Sequence, residues 1–124
     1  MLGTINAVAN LAVRDLEVAR KFYEGTLGLT PVDAQCKGLV AYRSGDSTLY
    51  VYQSDYAGTN QATAVTWNVG DRVEAIVDAL KAKGVSFEHY DLPGMTRHND
   101  VHVGNSMKVA WFKDPDGNIL NLAS

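Results

Sequence analysis

The stretch Val13-Arg14-Asp15-Leu16-Glu17-Val18-Ala19-Arg20-Lys21-Phe22-Tyr23, closing at Leu27-Gly28, decides the fold, because its pattern returns 56 residues later between Val69 and Gly84. Laid on each other without a gap, the copies pair Val13 with Val69, Asp15 with Asp71, Ala19 with Ala75 and Gly28 with Gly84. These identities fall at structural punctuation: a strand end, a helix cap, a buried helix position and a helix stop. Within the first copy Leu16, Ala19, Phe22, Tyr23 and Leu27 recur at spacings of three and four, which gives a helix one apolar stripe. Asp15 and Asp71 are the expected N-caps, and the second helix is expected to run through Ala82.

Working outward, residues 6–13 alternate as a strand requires, and 29–32, 38–43 and 48–53 read as three short strands. A polar stretch from Ser54 to Gln61 separates this from a second series. There the strands are 63–69, 85–89, 108–113 and 119–122, with a long loop over 91–106 and a turn at Asp114-Pro115-Asp116-Gly117-Asn118. The chain therefore reads as an α+β fold of two βαβββ repeats, one domain over 1–124 with modules at about 1–56 and 62–124. A module that cannot bury its own sheet face needs a partner, either the other module or an exchanged one in a homodimer.

Composition sets the limits. The 124 residues, 46% apolar, suffice for one core, since a domain near this size buries roughly two-thirds of its unfolded surface. A net charge of −3, from 11 basic against 14 acidic residues with no basic run, gives no footprint for nucleic acid or an anionic membrane. No apolar run approaches the ~18 residues of a spanning helix. The single cysteine, Cys36, has no partner for an intrachain disulfide and reads as structural. The N-terminus shows neither a basic leader nor an apolar run, so a cytoplasmic location is expected.

The motifs Val13-Arg14-Asp15-Leu16, Phe22-Tyr23, Leu27-Gly28-Leu29, Lys83-Gly84-Val85 and Phe112-Lys113-Asp114-Pro115-Asp116-Gly117-Asn118 resemble the vicinal oxygen chelate superfamily over nearly the full length. That superfamily includes glyoxalases, extradiol dioxygenases, fosfomycin-resistance enzymes and bleomycin-binding proteins. The resemblance implies a curved mixed sheet around a central cavity. It also implies, in the metal-dependent members, a divalent ion held by the first and last strands of each module. Here those positions fall on Val8, Tyr50, Ala64 and Asn121, where imidazole or carboxylate would be needed. No cofactor is therefore expected, with a divalent metal the less favoured case.

Strand alternation places Asn10, Arg43, Tyr50, Tyr52, Thr66, Asn68, Trp111 and Asn121 on the faces that would have carried ligands. Aromatic surface with a few amide, hydroxyl and guanidinium groups suits a small organic molecule, aromatic or anionic. The three histidines, His89, His98 and His102, all lie in the second half. His98, Asp100 and His102 are candidates for an unconventional metal or acid–base cluster, set against a reading as exposed loop residues. His89 reads as a surface residue, and Met95 and Met107 flank the loop as gap fillers or as cover for an apolar ligand. The leading function is a small-molecule binding protein without the usual metal site. The alternative is a metal-dependent glyoxalase-like lyase or isomerase, or a dioxygenase, using the loop histidines. A metal-free enzyme with Tyr50 as acid or base comes last, because an ordinary phenol titrates near ~10.

Overall fold

The computed structural model describes residues 1–32 and 37–124; Cys36 lies outside the described residues. Contacts divide the chain into two compact units, Met1–Thr59 and Asn60–Ser124. The first contains β1 (Ala9–Val13), α1 (Leu16–Arg20), a π-helical segment (Lys21–Thr26), β2 (Thr30–Val32), β3 (Leu39–Ser44) and β4 (Ser47–Gln53). Its sheet has the order β1-β4-β3-β2. The β1–β4 pair is parallel and the others are antiparallel, as follows when the helical crossover comes after β1 and hairpins come later.

Asp15 caps α1 as expected, in an extended conformation, its carboxylate accepting from the N–H groups of Glu17 at 2.9 Å and Val18 at 3.4 Å. The helix then widens, with Leu27 N–H donating to Phe22 carbonyl at 2.9 Å across five residues, and Gly28 takes the positive φ of 76° that ends it. Beneath it Leu11, Val13, Tyr23, Tyr42 and Val51 are at most 1% exposed. The Tyr23 and Tyr42 rings stack at 6.0 Å. Tyr42 also donates its hydroxyl to Glu24 at 2.7 Å, and Glu24 pairs with Arg20 at 3.0 Å. Burial, and then this Glu24 contact, push the Tyr42 phenol far above its ordinary range.

The second unit contains β5 (Thr63–Asn68), a 3-10 turn (Gly70–Arg72), α2 (Val73–Ala82), β6 (Phe87–Glu88), β7 (Thr96–His98), β8 (Val101–Gly104), β9 (Met107–Lys113) and β10 (Ile119–Ala123). Its sheet runs β5-β10-β9-β8-β7, with β6 also paired to β9 and the β5–β10 pair parallel. Val73, Val77 and Leu80 are the buried stripe of α2, and Phe112, Leu120 and Leu122 are buried in the sheet. Lys108 on β9 reaches Glu74 of α2 at 3.0 Å, which fixes even-numbered β9 residues on the helix side. Two mixed sheets and two α-helices thus form the α+β fold of two βα-plus-strands repeats, the first βαβββ and the second with five strands after its helix.

Four expectations need correction. The strand expected over 6–13 begins at Ala9, which leaves Val8 just before it. Asp71 does not cap α2. Gly70 turns at φ 61° and draws Asp71 into the 3-10 turn, so Arg72 stands at the N-cap with no side-chain bond. The strand expected over 85–89 shortens to Phe87–Glu88. The segment 91–106 is not one loop, because β7 and β8 form a hairpin inside it. Asn99 supplies the positive φ of 57° at its turn.

Among the described residues no helix is long and apolar enough to cross a membrane.

Candidate functional site

Each unit has a sheet face turned away from its helix. In the first unit the parallel register sets Asn10 beside Tyr50 and Ala12 beside Tyr52, and β3 continues these rows with Ala41 and Leu39. Arg43 lies one step along, opposite Thr48. Asn10, Arg43, Tyr50 and Tyr52 therefore share one face, with Asn10 and Arg43 exposed and the two tyrosines half-buried.

In the second unit Thr66, Asn121 and Trp111 form one row across β5, β10 and β9, and Glu88 of β6 extends it. A second row joins Asn68, Ala123, Val109, His102 and Arg97 across five strands. Asn121 is only 6% exposed, and its amide N–H donates to Ala110 carbonyl at 3.2 Å. Trp111 is half-buried and donates its indole N–H to Thr63 Oγ1 at 3.2 Å. That bond fixes the indole orientation and leaves its ring as apolar surface. Thr66, Asn68, Trp111 and Asn121 thus also share a face.

The positions that the resemblance assigns to a divalent ion do not fit one. Val8 and Ala64 have no donor atom, and Ala64 sits where the β5–β10 register shifts by one residue. Tyr50 offers a phenol, and Asn121 an amide whose N–H is already directed at a carbonyl. Two hydrocarbons, a phenol and an amide supply neither imidazole nor carboxylate.

The histidine candidates are placed differently from expectation. His98 lies on β7 and is exposed, whereas His102 lies on β8 and is 1% exposed. Asp100 turns away from both. Its carboxylate bonds Lys81 at 2.6 Å and His89 Nε2 at 2.8 Å, tying the hairpin turn to α2. The strand period explains the separation, since His102 points to the face opposite Val101 and Val103. Among the described residues no three His, Cys, Asp or Glu side chains gather closely enough to hold an ion.

The Lys81 hydrogen bond, and then that of His89, hold the Asp100 carboxyl below the ordinary aspartate range, with burial opposing them. A depressed folded-state value means the contact contributes stability above the unfolded value of roughly 4. That contribution is lost as pH falls through the folded value. We expect a carbon-detected NMR titration to place Asp100 below the ordinary aspartate range, and Lys81→Gln to move it upward. An Asp100 midpoint unchanged by Lys81→Gln would contradict the assignment.

The sequence reading overlooked Tyr90. Its backbone N–H donates to His102 Nε2 at 3.0 Å, and its ring contacts Trp111 edge-on at 5.2 Å. His102 contacts Trp111 edge-on at 5.0 Å, so the three rings form one cluster on the sheet face. Burial, and then the Glu88 carboxylate, push the Tyr90 phenol upward, which makes it a poor base near neutral pH. The alternation of Val101, His102 and Val103 was the available signal for the buried imidazole.

Comparison with solved structures shows the same fold at low identity. The glyoxalase family protein from Enterococcus faecalis superposes with a TM-score of 0.74 at 18% identity, covering 100% of both chains. Lactoylglutathione lyase from Agrobacterium tumefaciens gives 0.71 at 18% identity, covering 99% of this chain and 95% of its own. The fosfomycin resistance protein FosX from Mesorhizobium loti gives 0.69 at 15% identity, covering 100% and 93%. No curated protein sequence matches significantly. The family model of the Glyoxalase/Bleomycin resistance protein/Dioxygenase superfamily matches residues 4–122, nearly the whole chain, and the protein belongs to that superfamily.

Proposed function

We propose that this chain is a small-molecule binding protein of the glyoxalase/bleomycin-resistance type that works without the usual metal ion, as a cytoplasmic homodimer. One observation carries the reading: the four positions suited to an ion hold Val8, Tyr50, Ala64 and Asn121, while the same faces hold Trp111, Tyr52 and amides. Such faces bind through stacking area and a few oriented polar groups. The ligand is a small organic molecule, aromatic or anionic, with Arg43 available to pair with an acid group. Two structural relatives are named for fosfomycin resistance and for lactoylglutathione, both small organic molecules.

Equilibrium binding of an aromatic anion tests this, with anilinonaphthalene sulfonate as the probe in the presence and absence of EDTA. The expected result is one affinity in both conditions, weakened about tenfold in Trp111→Ala, which deletes the stacking surface. Binding lost in EDTA and restored by zinc would favour a metal-dependent lyase, isomerase or dioxygenase instead.

A further inference from the structure

At the Tyr90 and His102 end of the aromatic cluster, the segment after β6 and the β7–β8 hairpin line an open pocket of about 370 Å³ within the second unit. Leu92, Pro93 and Met95 supply apolar walls, and Arg97, His102 and Asp91 supply polar groups. None of these belongs to the ligand set proposed above, and the pocket adjoins that set where His102 packs against Trp111.

His102 is the informative group. Its Nε2 accepts from Tyr90 N–H at 3.0 Å, so the neutral ring carries its proton on Nδ1. That Nδ1–H is buried and, among the described residues, has no hydrogen-bond partner. Natural proteins seldom leave a buried donor unmet, so its complement is an acceptor oxygen. Arg97 lies directly across the strand pair from His102. One of its guanidinium N–H groups donates to Asn99 carbonyl at 2.6 Å, which anchors the cation at this end of the pocket.

We infer that the pocket binds a small monocarboxylate with an apolar or aromatic body, its oxygens meeting His102 Nδ1–H and Arg97 and its body lying against Leu92, Pro93 and Met95. Asp91 on the same wall repels a second acid group, so dicarboxylates are excluded. Nδ1 has no exposed surface in the free chain, so the proposed contact requires a displacement of the residues around His102, which the nitrogen-15 shift of that ring would report.

Phenylacetate is the probe, read by NMR of protein labelled with nitrogen-15 in histidine. The free protein is expected to show His102 as the Nδ1–H tautomer, and phenylacetate to shift that nitrogen saturably. Arg97→Gln, an exposed position that leaves the core intact, and His102→Phe should each weaken binding about tenfold or more, as for loss of a charge-assisted hydrogen bond. Homophthalate should bind Asp91→Asn but not the parent chain. An Nε2–H tautomer, a His102 signal indifferent to phenylacetate, or an affinity unchanged in Arg97→Gln would each overturn the inference. Because Trp111 packs against His102, Arg97→Gln is the variant that separates the sites: phenylacetate binding is expected to weaken there while anilinonaphthalene sulfonate binding is unchanged.

Discussion

Asp114→Ala is expected to destabilise the protein by about 3 kcal/mol, lowering the melting temperature on the order of 10 °C. One carboxylate oxygen accepts from the N–H groups of Asp116 and Asn118, each at 2.9 Å, and the other accepts from the Asn118 amide at 2.8 Å. Asp114 and Asn118 are buried, at 4% and 5% exposure. Alanine strands these donors at once, and an unmet buried donor costs roughly 1–3 kcal/mol. The turn joins β9 to β10, so its loss also disturbs the register between Trp111 and Asn121. Asp114→Asn keeps an oxygen for the two backbone donors and should recover more than half of the loss. Denaturant unfolding of the two variants checks this, and equal stability for parent and alanine variant would remove the turn from the account.

Gly104→Ala is expected to cost about 2–3 kcal/mol, for a different reason. A Cβ at Gly104 would overlap the carbonyl oxygen of Gly94 and stand 3.0 Å from Met95 Cα. Both obstacles are backbone, so no side chain can swing aside, and the adjustment resembles overpacking of a core. Relief comes from moving the 94–95 segment off β8. Hydrogen exchange should accordingly accelerate at Tyr90, whose N–H is held by His102, while α1 and β1 are unaffected. Unchanged exchange at Tyr90 would show that the segment is not held against the strand.

Local chemistry made much of this fold legible in the sequence. Asp15 announced its helix because a carboxylate before Leu16 has backbone donors to meet, and it meets them. Strand alternation set Asn10 with Tyr50 and Thr66 with Asn121 and Trp111 on common faces, as the registers show. Asp71 misled because Gly70, one residue earlier, adopts a left-handed turn that no spacing rule reports. The β7–β8 hairpin was hidden by polar Thr96, Arg97 and His98, which lie at the sheet edge where burial imposes no apolar pattern. Helix periodicity likewise carried no sign that the turns after Arg20 would widen.

The shared sheet faces were readable from the sequence, but the neighbours across them were not. Which residues share a face follows from a period of two, whereas the contact of Tyr90 with His102 and Trp111 joins the segment after β6 to β8 and β9 across distances that only tertiary packing sets. For the same reason the His98, Asp100 and His102 cluster was plausible by spacing and is absent in space. Asp100 finds Lys81 and His89 instead.

Val8, Tyr50, Ala64 and Asn121 stand where the resemblance places an ion's ligands and offer it neither imidazole nor carboxylate. Elemental analysis of untagged protein purified without chelator checks this. Zinc, nickel, manganese and iron are each expected far below one equivalent per chain. Close to one equivalent of any of them, retained through gel filtration, would contradict it.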